Sequence, residues 1–450
     1  MDNLKASYNN QYILGISFIS ALGGYLFGFD FAVITGALPF LRDVFGLSAW
    51  WEGFLTGSLA LGCIVGTLVA GNIADRLGRR PGLMFSAVIF AFSSIGMALS
   101  NQLDIFVAFR FMAGIGVGMA SILSPMYIAE ISPASVRGRN VAINQLTIVI
   151  GILVTNIVNY SLADNGPEAW RWMFGLGAIP AVLFLVGLIW LPESPRYLVK
   201  AGKLEKAQSV LNKIGNATFA NSTMADIKKS FEGDTQKASY AAVFAKAVRP
   251  AVVIGITLAV FQQLCGINVV FNYTSTIFAA LGASLNEQLF ETVAIGVVNL
   301  IFALVAMWQV DKLGRKPLML FGSGALAILY IILAMLLKNQ ASTIYVSIVV
   351  LAAISVYSMS LAPVTWVLIS EIFPNKIRGL ASSVAVVSLW AAYFVLVFTF
   401  PILAEKIGTY GPFWMYAAIC VAGFIFIKIK VKETKGKTLE EMDSPNTFAH

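Results

Sequence analysis

Histidine is almost absent from this 450-residue chain: the only one, His450, is its last residue. That excludes buried histidine proton relays and histidine-based metal sites. Cysteine is scarce as well. Cys63, Cys265 and Cys420 are odd in number and each lies in an apolar run, which argues against a disulfide framework and makes core packing their default role. Charge is the third shortage: 12% of residues are charged and 58% are hydrophobic, where an ordinary soluble domain has about 25% and about 45–50%. With a mean hydropathy of +0.79, the apolar excess cannot be hidden in a soluble core, so a soluble enzyme is excluded. The net charge of +8 does not point to nucleic acid, because the basic residues sit in short loops between apolar runs. No Walker-type glycine loop precedes a lysine and a serine or threonine, so no nucleotide site is expected.

What the chain has instead is apolar runs of bilayer-spanning length from end to end. Polar breaks delimit twelve, at 12–38, 51–73, 82–100, 104–128, 140–160, 172–191, 250–280, 289–309, 317–337, 343–369, 380–403 and 411–430. An even number puts both termini on one side. The first run follows a polar start with one lysine and lacks a small-residue cleavage site, so it reads as a retained helix. Arg76, Arg79, Arg80, Arg137, Arg139, Lys312, Arg315, Lys316, Lys376, Arg378, the segment from Arg196 to Arg249 and the C-terminal lysines fall on one side. The opposite loops carry Arg42, Arg171, Lys338 and Lys406. This asymmetry predicts a multi-pass plasma-membrane protein, a bacterial inner membrane being the expected setting, with both termini in the cytoplasm.

The one sizeable polar interruption, 196–248, divides the spans six and six. Within it Leu204, Val210, Leu211 and Ile214 share a helical face, as in a short amphipathic cytoplasmic helix. An internal repeat marks the same division. Asp75-Arg76-Leu77-Gly78-Arg79-Arg80-Pro81 recurs 236 residues later as Asp311-Lys312-Leu313-Gly314-Arg315-Lys316-Pro317. Glu130-Ile131-Ser132-Pro133 with Arg137 recurs 241 residues on as Glu371-Ile372-Phe373-Pro374 with Arg378, and Glu193 matches Glu433 at 240. The expected fold is therefore an all-α membrane protein of twelve transmembrane helices in two homologous six-helix bundles. The expected divisions are an N-terminal bundle (1–195), a cytoplasmic helical linker (196–248), a C-terminal bundle (249–430) and a cytoplasmic tail (431–450), with a central site between the halves.

These landmarks, with Pro192-Glu193-Ser194-Pro195-Arg196, Gln262-Gln263-x-x-Gly266-x-Asn268 and Pro363-x-x-Trp366, resemble the major facilitator superfamily and, within it, the sugar porter family. Lys432-Glu433-Thr434-Lys435-Gly436 is similar to that family's Pro-Glu-Thr-Lys-Gly, with lysine in place of proline. The resemblance implies a secondary transporter and not an enzyme. It also implies that Asp75, Arg79, Arg80, Glu130, Arg137, Glu193, Arg196, Asp311, Arg315, Glu371, Arg378 and Glu433 form a cytoplasmic latch that ties the halves together when the carrier faces outward. Arginines at helix ends can make charge-assisted hydrogen bonds to such carboxylates. Plain membrane topology also accounts for basic loops.

Asp30 and Arg110 are the one acid and one base well inside the apolar runs. An unpaired charge there costs at least about 2.5–3.5 kcal/mol, and helix rise places both in the same half of the bilayer, so they are expected to pair. Burial favours the protonated carboxyl and a guanidinium the ionised one, which makes the pair either a proton switch or a static register-fixing contact. The resemblance favours the switch, since proton-coupled sugar porters carry an acid at the position of Asp30. One charge moved through 100 mV then sustains a solute gradient of roughly forty-fold.

A sugar needs neutral bidentate groups and an aromatic face. Gln145 in the fifth span and Gln262, Gln263 and Asn268 in the seventh offer the former, provided the seventh helix unwinds near Gly266; an unbroken helix would turn Gln263 and Asn268 apart. By resemblance, Asn299 and Trp366 join them, Phe27 and Tyr273 line or close the site, and Pro363 breaks the tenth span. Buried amides also serve as interhelical glue, and aromatic stripes as ordinary core. Leu389, where relatives carry glutamine or asparagine, leaves the sugar open. The expected function is proton-coupled monosaccharide uptake by alternating access; a facilitative uniporter and, further off, an exporter or sugar receptor of the same fold are the alternatives. Expected partners are a monosaccharide, a proton and the lipid bilayer, with no cofactor or metal.

Overall fold

The computed structural model describes residues 7–232, 243, 245, 246, 248–373 and 377–433, apart from the side chains at 232, 310, 311, 370, 371, 378 and 379. Among these residues twelve helices are long and apolar enough to cross a membrane. In chain order they are Asn10–Phe45, Ala49–Arg76, Arg79–Leu99, Leu103–Ile131, Arg137–Leu162, Ala169–Trp190, Arg249–Ala279, Leu285–Gln309, Arg315–Lys338, Thr343–Ile369, Leu380–Ile407 and Gly411–Lys430, numbered below as the first to twelfth spans. Most run a few residues past the apolar stretch that defines them, because local caps keep polar ends helical. Asn9 accepts from the Tyr12 amide at 3.1 Å, Ser48 from that of Trp51 at 3.4 Å, and Ser284 with Glu287 forms a capping box. The first helix thereby takes in Arg42 near its end, while Glu52 and Glu291 lie near the starts of the second and eighth spans.

The first span packs on the fifth and the second and third on the fourth; the ninth packs on the twelfth, the seventh on the eleventh and the eighth on the tenth. Small residues permit the closest approaches. A Cβ on Gly28 would overlap the Ile148 carbonyl of the fifth span, and one on Gly62 the Phe111 carbonyl of the fourth. Such backbone proximity is what packs helices where lipid gives no hydrophobic drive. The two sets of six meet through the second and eleventh, fifth and eighth, and first and seventh spans. Gly53 lies against the Phe398 carbonyl, and Trp50 packs on the Phe398 ring at 5.8 Å. These contacts are remote from the loops at 77–78 and 314.

Between the sixth and seventh spans lie helices Pro195–Lys200, Leu204–Ile214 and Ala217–Glu232. Ala207, Val210, Leu211 and Ile214 are buried, whereas Leu204, expected on that face, is 41% exposed because it occupies the first turn. The N-terminal segment is stitched to this linker: the Asn9 amide donates to Ile214 O at 2.7 Å and the Asn216 amide to Ser7 O at 2.9 Å. Residues 233–242, 244 and 247 of the expected linker and 434–450 of the expected tail lie outside the described residues. Gly62→Ala should destabilise the protein by about 1–3 kcal/mol by forcing the second and fourth helices apart. Thermal unfolding in detergent measures it, and an unchanged transition would refute the packing argument.

Candidate functional site

Asp30 and Arg110 are brought together by these close approaches. Asp30 is 1% and Arg110 0% exposed, with Nη1 and Oδ1 3.6 Å apart. That is an ion-pair distance and not a hydrogen bond. Arg110 Nε donates to the Leu55 carbonyl at 3.1 Å, and its guanidinium lies 5.8 Å from the centre of the Phe174 ring. Among the described residues neither carboxylate oxygen of Asp30 nor either Nη of Arg110 has a hydrogen-bond partner. The pair is held by packing and charge, so a small displacement changes the balance between its charged and neutral forms.

The seventh span is broken as the sequence requires. Helix Arg249–Leu264 ends, Gly266 takes φ 94°, and helix Ile267–Ala279 resumes. A left-handed residue here must be glycine, and the Tyr416 ring fills the space a Cβ would need. The break turns Asn268 back toward Gln263. Asn268 Nδ2 donates to Gln263 Oε1, and Gln263 Nε2 donates to Gln262 Oε1 at 3.1 Å. All three amides are buried, and among the described residues no hydrogen bond engages Gln262 Nε2 or Asn268 Oδ1, a donor and an acceptor.

The tenth span also breaks, but at Ser360 (φ −127°, ψ −85°) and not at Pro363. Pro363 sits in the first turn of helix Leu361–Ile372, where a missing N–H costs nothing. Trp366, beyond the break, is 42% exposed. Gln145 is exposed, on the same face of the fifth helix as Asn156 about three turns away. Since Asn156 Nδ2 donates to the Thr292 carbonyl of the eighth span at 2.7 Å, that face is directed at the other half. Asn299 accepts from Ser358 Oγ at 2.7 Å. Phe27 packs on Trp390 at 5.6 Å and on Phe31 at 6.3 Å. Tyr273 stands apart from the amide string. Its hydroxyl donates to the Val397 carbonyl at 2.7 Å and its ring lies on Phe400, so it ties the seventh span to the eleventh. No hydrogen bond or ring contact among the described residues joins Gln145 or Trp366 to the amides.

Among the described residues the charged loops of the first half close within that half. Arg79 forms a two-pronged pair with Glu130, both bonds 2.9 Å, and lies 3.7 Å from Asp75. Arg80 donates to the carbonyls of Leu188 and Ile189 at 2.8 Å, capping the sixth span, and Arg137 Nε to that of Ala129 at 3.1 Å. Arg196 is exposed. Glu193 and Glu433 receive backbone amides: Glu193 those of Arg79 (3.0 Å), Arg80 and Ser194, Glu433 those of Arg315 (3.0 Å) and Lys316 (3.1 Å). Gly78 and Gly314 clear the space for these carboxylates at helix starts, where free N–H groups and the helix dipole attract an anion. Burial is the larger influence on the Glu193 carboxyl and raises it above its ordinary range, against the pull of those amides. None of the described bonds of Asp75, Arg79, Arg80, Glu130 or Glu193 crosses to the second half. The side chains of Asp311, Glu371 and Arg378 lie outside the description.

The sequence reading missed the contacts that do cross. Arg42 forms a two-pronged pair with Glu52 (2.6 and 2.5 Å), and its Nη2 also donates to Thr276 of the seventh span at 2.5 Å. Thr35 Oγ1 donates to the Phe271 carbonyl at 2.6 Å, and Ser275 Oγ to the Thr35 carbonyl at 3.0 Å. Only the polar residues at the ends of two apolar runs hinted at this seal. Lys200, 2.9 Å from Asp75, and Ser194, which donates to Glu130, were missed as well.

Twelve membrane helices with broken seventh and tenth members, a buried acid–base pair and neutral amides beside a break define a multi-pass secondary transporter. The family model described as sugar (and other) transporter matches residues 16–445, and the chain belongs to that family, within the major facilitator superfamily. The D-xylose-proton symporter of Escherichia coli (strain K12) is 38% identical to it over 479 residues, covering 98% of this chain and 97% of that protein. The arabinose-proton symporter of Bacillus subtilis (strain 168) is 36% identical over 444 residues, covering 97% and 96%. The inward open conformation of the xylose transporter XylE from E. coli superposes with a TM-score of 0.86 at 38% identity, covering 96% of this chain and 99% of that one. Gly266→Ala should cost about 1–2 kcal/mol, the price of a left-handed non-glycine residue, before any clash with Tyr416 is added. A thermal transition equal to that of the unmodified protein would show that the break does not depend on glycine.

Proposed function

We propose that this protein takes up a monosaccharide together with a proton across the plasma membrane by alternating access. The observation that carries the reading is the fully buried Asp30, 3.6 Å from Arg110 and hydrogen-bonded to no described residue. Such a carboxyl takes or releases a proton when water or its partner moves, whereas a register-fixing ion pair is stabilised by direct hydrogen bonds. Gln262, Gln263 and Asn268 supply the neutral hydrogen-bonding groups a sugar requires, in the other half, with Gln145, Asn299, Trp366 and Phe27 as further contacts. The proton and sugar named for the D-xylose and arabinose relatives support the same assignment.

The basic-residue asymmetry supports cytoplasmic termini, linker and tail, with bundles at 1–195 and 249–430. In that orientation the bonds of Thr35, Arg42 and Asn156 close the extracellular side and the arrangement is inward-open, in keeping with the superposition on inward open XylE. The Arg79–Glu130 pair and its second-half counterparts would then meet across the cytoplasmic rim when the carrier turns outward.

Proteoliposomes with simultaneous pH recording test the proposal, using radiolabelled D-glucose, D-xylose, L-arabinose, D-galactose and myo-inositol. At 100 mV the unmodified protein should accumulate one of these up to roughly forty-fold and alkalinise the outer medium. Asp30→Asn should abolish accumulation and proton uptake while retaining counterflow exchange. Accumulation by Asp30→Asn equal to that of the unmodified protein would sink the coupling role. Thr276→Val, which removes one bond of the extracellular seal, should raise the outward-facing population several-fold, about what one net hydrogen bond is worth. Spin-label distances across the extracellular ends of the first and seventh spans read it out; an unaltered distribution would show that the bond does not hold the seal.

A further inference from the structure

Tyr393 of the eleventh span has no part in the site as built so far, although it sits between its two halves. It is 1% exposed, and its hydroxyl donates to Asn272 Oδ1 at 3.1 Å. Asn272, itself fully buried, donates through Nδ2 to the backbone carbonyl of Asn268 at 2.7 Å. From Asn268 the string continues through Gln263 to Gln262. One chain of hydrogen bonds thus runs from the eleventh span through the helix that follows the break in the seventh, ending on the amides assigned to the sugar.

The other side of Tyr393 faces the first half. Its ring packs at 5.8 Å on Phe31, the residue after Asp30, and at 5.8 Å on Trp390, which in turn contacts Phe27. The titratable groups that act electrostatically on its hydroxyl from neighbouring elements are Asp30 on the first span, Cys63 on the second and Arg110 on the fourth, with Tyr273 on the seventh coupled to it. The phenol is therefore a polarisable hydroxyl bonded into the amide string, on a ring that packs against the neighbour of Asp30 and feels the charges of the acid–base pair. A change in the charge of Asp30 alters the field at the Tyr393 O–H, and the O–H bond is what fixes Asn272 beneath the Asn268 carbonyl.

The geometry points to Tyr393, acting through Asn272, as the positioning residue that couples the Asp30–Arg110 pair to the sugar-binding amides. This rests on the proposed symport. It deepens that reading by assigning a residue that carries information between proton and sugar without touching either. With Tyr393 in place, protonation of Asp30 sets the orientation of Asn268 and hence the affinity for sugar. Without the hydroxyl, both sites persist but no longer inform one another.

Tyr393→Phe removes the hydroxyl and leaves the ring on Phe31 and Trp390. Counterflow of radiolabelled D-glucose, D-xylose and L-arabinose, each measured between pH 5.5 and 8, is the readout. The unmodified protein should bind its sugar more tightly as the pH falls. In Tyr393→Phe the maximal exchange rate should stay within about twofold, while half-saturation rises about tenfold at low pH and its pH dependence flattens, the loss of one buried hydrogen bond. Asn272→Ala breaks the same bond from its other end and should reproduce the flattening, and the double variant should be no worse than either single one. The relay is overturned if Tyr393→Phe keeps the pH slope and affinity of the unmodified protein, or if the two substitutions act independently. An unmodified protein that exchanges sugar with no pH dependence overturns symport and relay together; a pH-dependent one with an unaffected Tyr393→Phe overturns the relay alone.

Discussion

Keeping an acid and a base in an apolar interior without a hydrogen bond between them is the demand on which this structure turns. Asp30 and Arg110 are 3.6 Å apart, and the guanidinium spends one N–H on the Leu55 carbonyl. An ion pair so placed has its desolvation cost only partly offset by attraction. The surrounding helices must therefore hold it by shape. The first span is seated on the fifth at Gly28, and the second on the fourth at Gly62, so the carboxyl and guanidinium arrive from separate helix pairs into one enclosed space. The glycines make the pair possible, and the pair gives those tight crossings a purpose beyond packing.

The same economy governs the helix breaks. Backbone groups inside a bilayer must be satisfied, so an interrupted helix is tolerated only where side chains or a polar cavity replace the missing bonds. At Gly266 thiols and an amide supply the replacement: Cys265 Sγ donates to the Gln262 carbonyl at 3.0 Å, Cys420 Sγ to the Cys265 carbonyl at 3.6 Å, and Asn272 Nδ2 to the Asn268 carbonyl at 2.7 Å. At Ser360 the hydroxyl bonds back to the Val356 carbonyl. The two breaks differ in kind. One assembles the amides proposed to meet the sugar, and the other satisfies itself through the serine hydroxyl.

How much of this was legible in the chain depended on whether the signal was local. Span number, the division at the linker and the six-by-six repeat are written in apolar runs and recurring loops, and the unwinding at Gly266 follows from the angle between Gln263 and Asn268. The break at Ser360 was not legible, because proline advertises itself while serine does not, and Pro363 turned out to start a helix. The carboxylates of Glu193 and Glu433 looked like partners for arginine side chains; both also receive backbone amides at helix starts, which sequence spacing does not reveal. The seal of Arg42, Glu52 and Thr276 was invisible for another reason: it joins residues 234 positions apart, and nothing local marks Thr276 as polar glue.

The repeat itself carries one more argument. At an offset of 238, inside the 236–241 window of the other landmarks, Gly28-Phe29-Asp30 of the first span corresponds to Gly266-Ile267-Asn268 of the seventh. The two halves thus have the same glycine and the same polar position, differing in one atom group: a carboxylate in the first half, an amide in the second. In the first half the glycine is spent on a close helix crossing, which shuts the acid away from water. In the second it takes a left-handed conformation, which breaks the helix and turns Asn268 back onto Gln263. A carboxylate at 268 would bring charge among the proposed sugar-binding groups, and an amide at 30 would have no proton to exchange. The divergence of this paired position accords with the proposed placement of the proton site in the first bundle and of the amide string in the second, where Gln262 and Gln263 likewise match no amide but Gly24 and Tyr25. With the two sites so placed, a residue between the bundles, such as Tyr393, is where the two functions can be made to depend on each other.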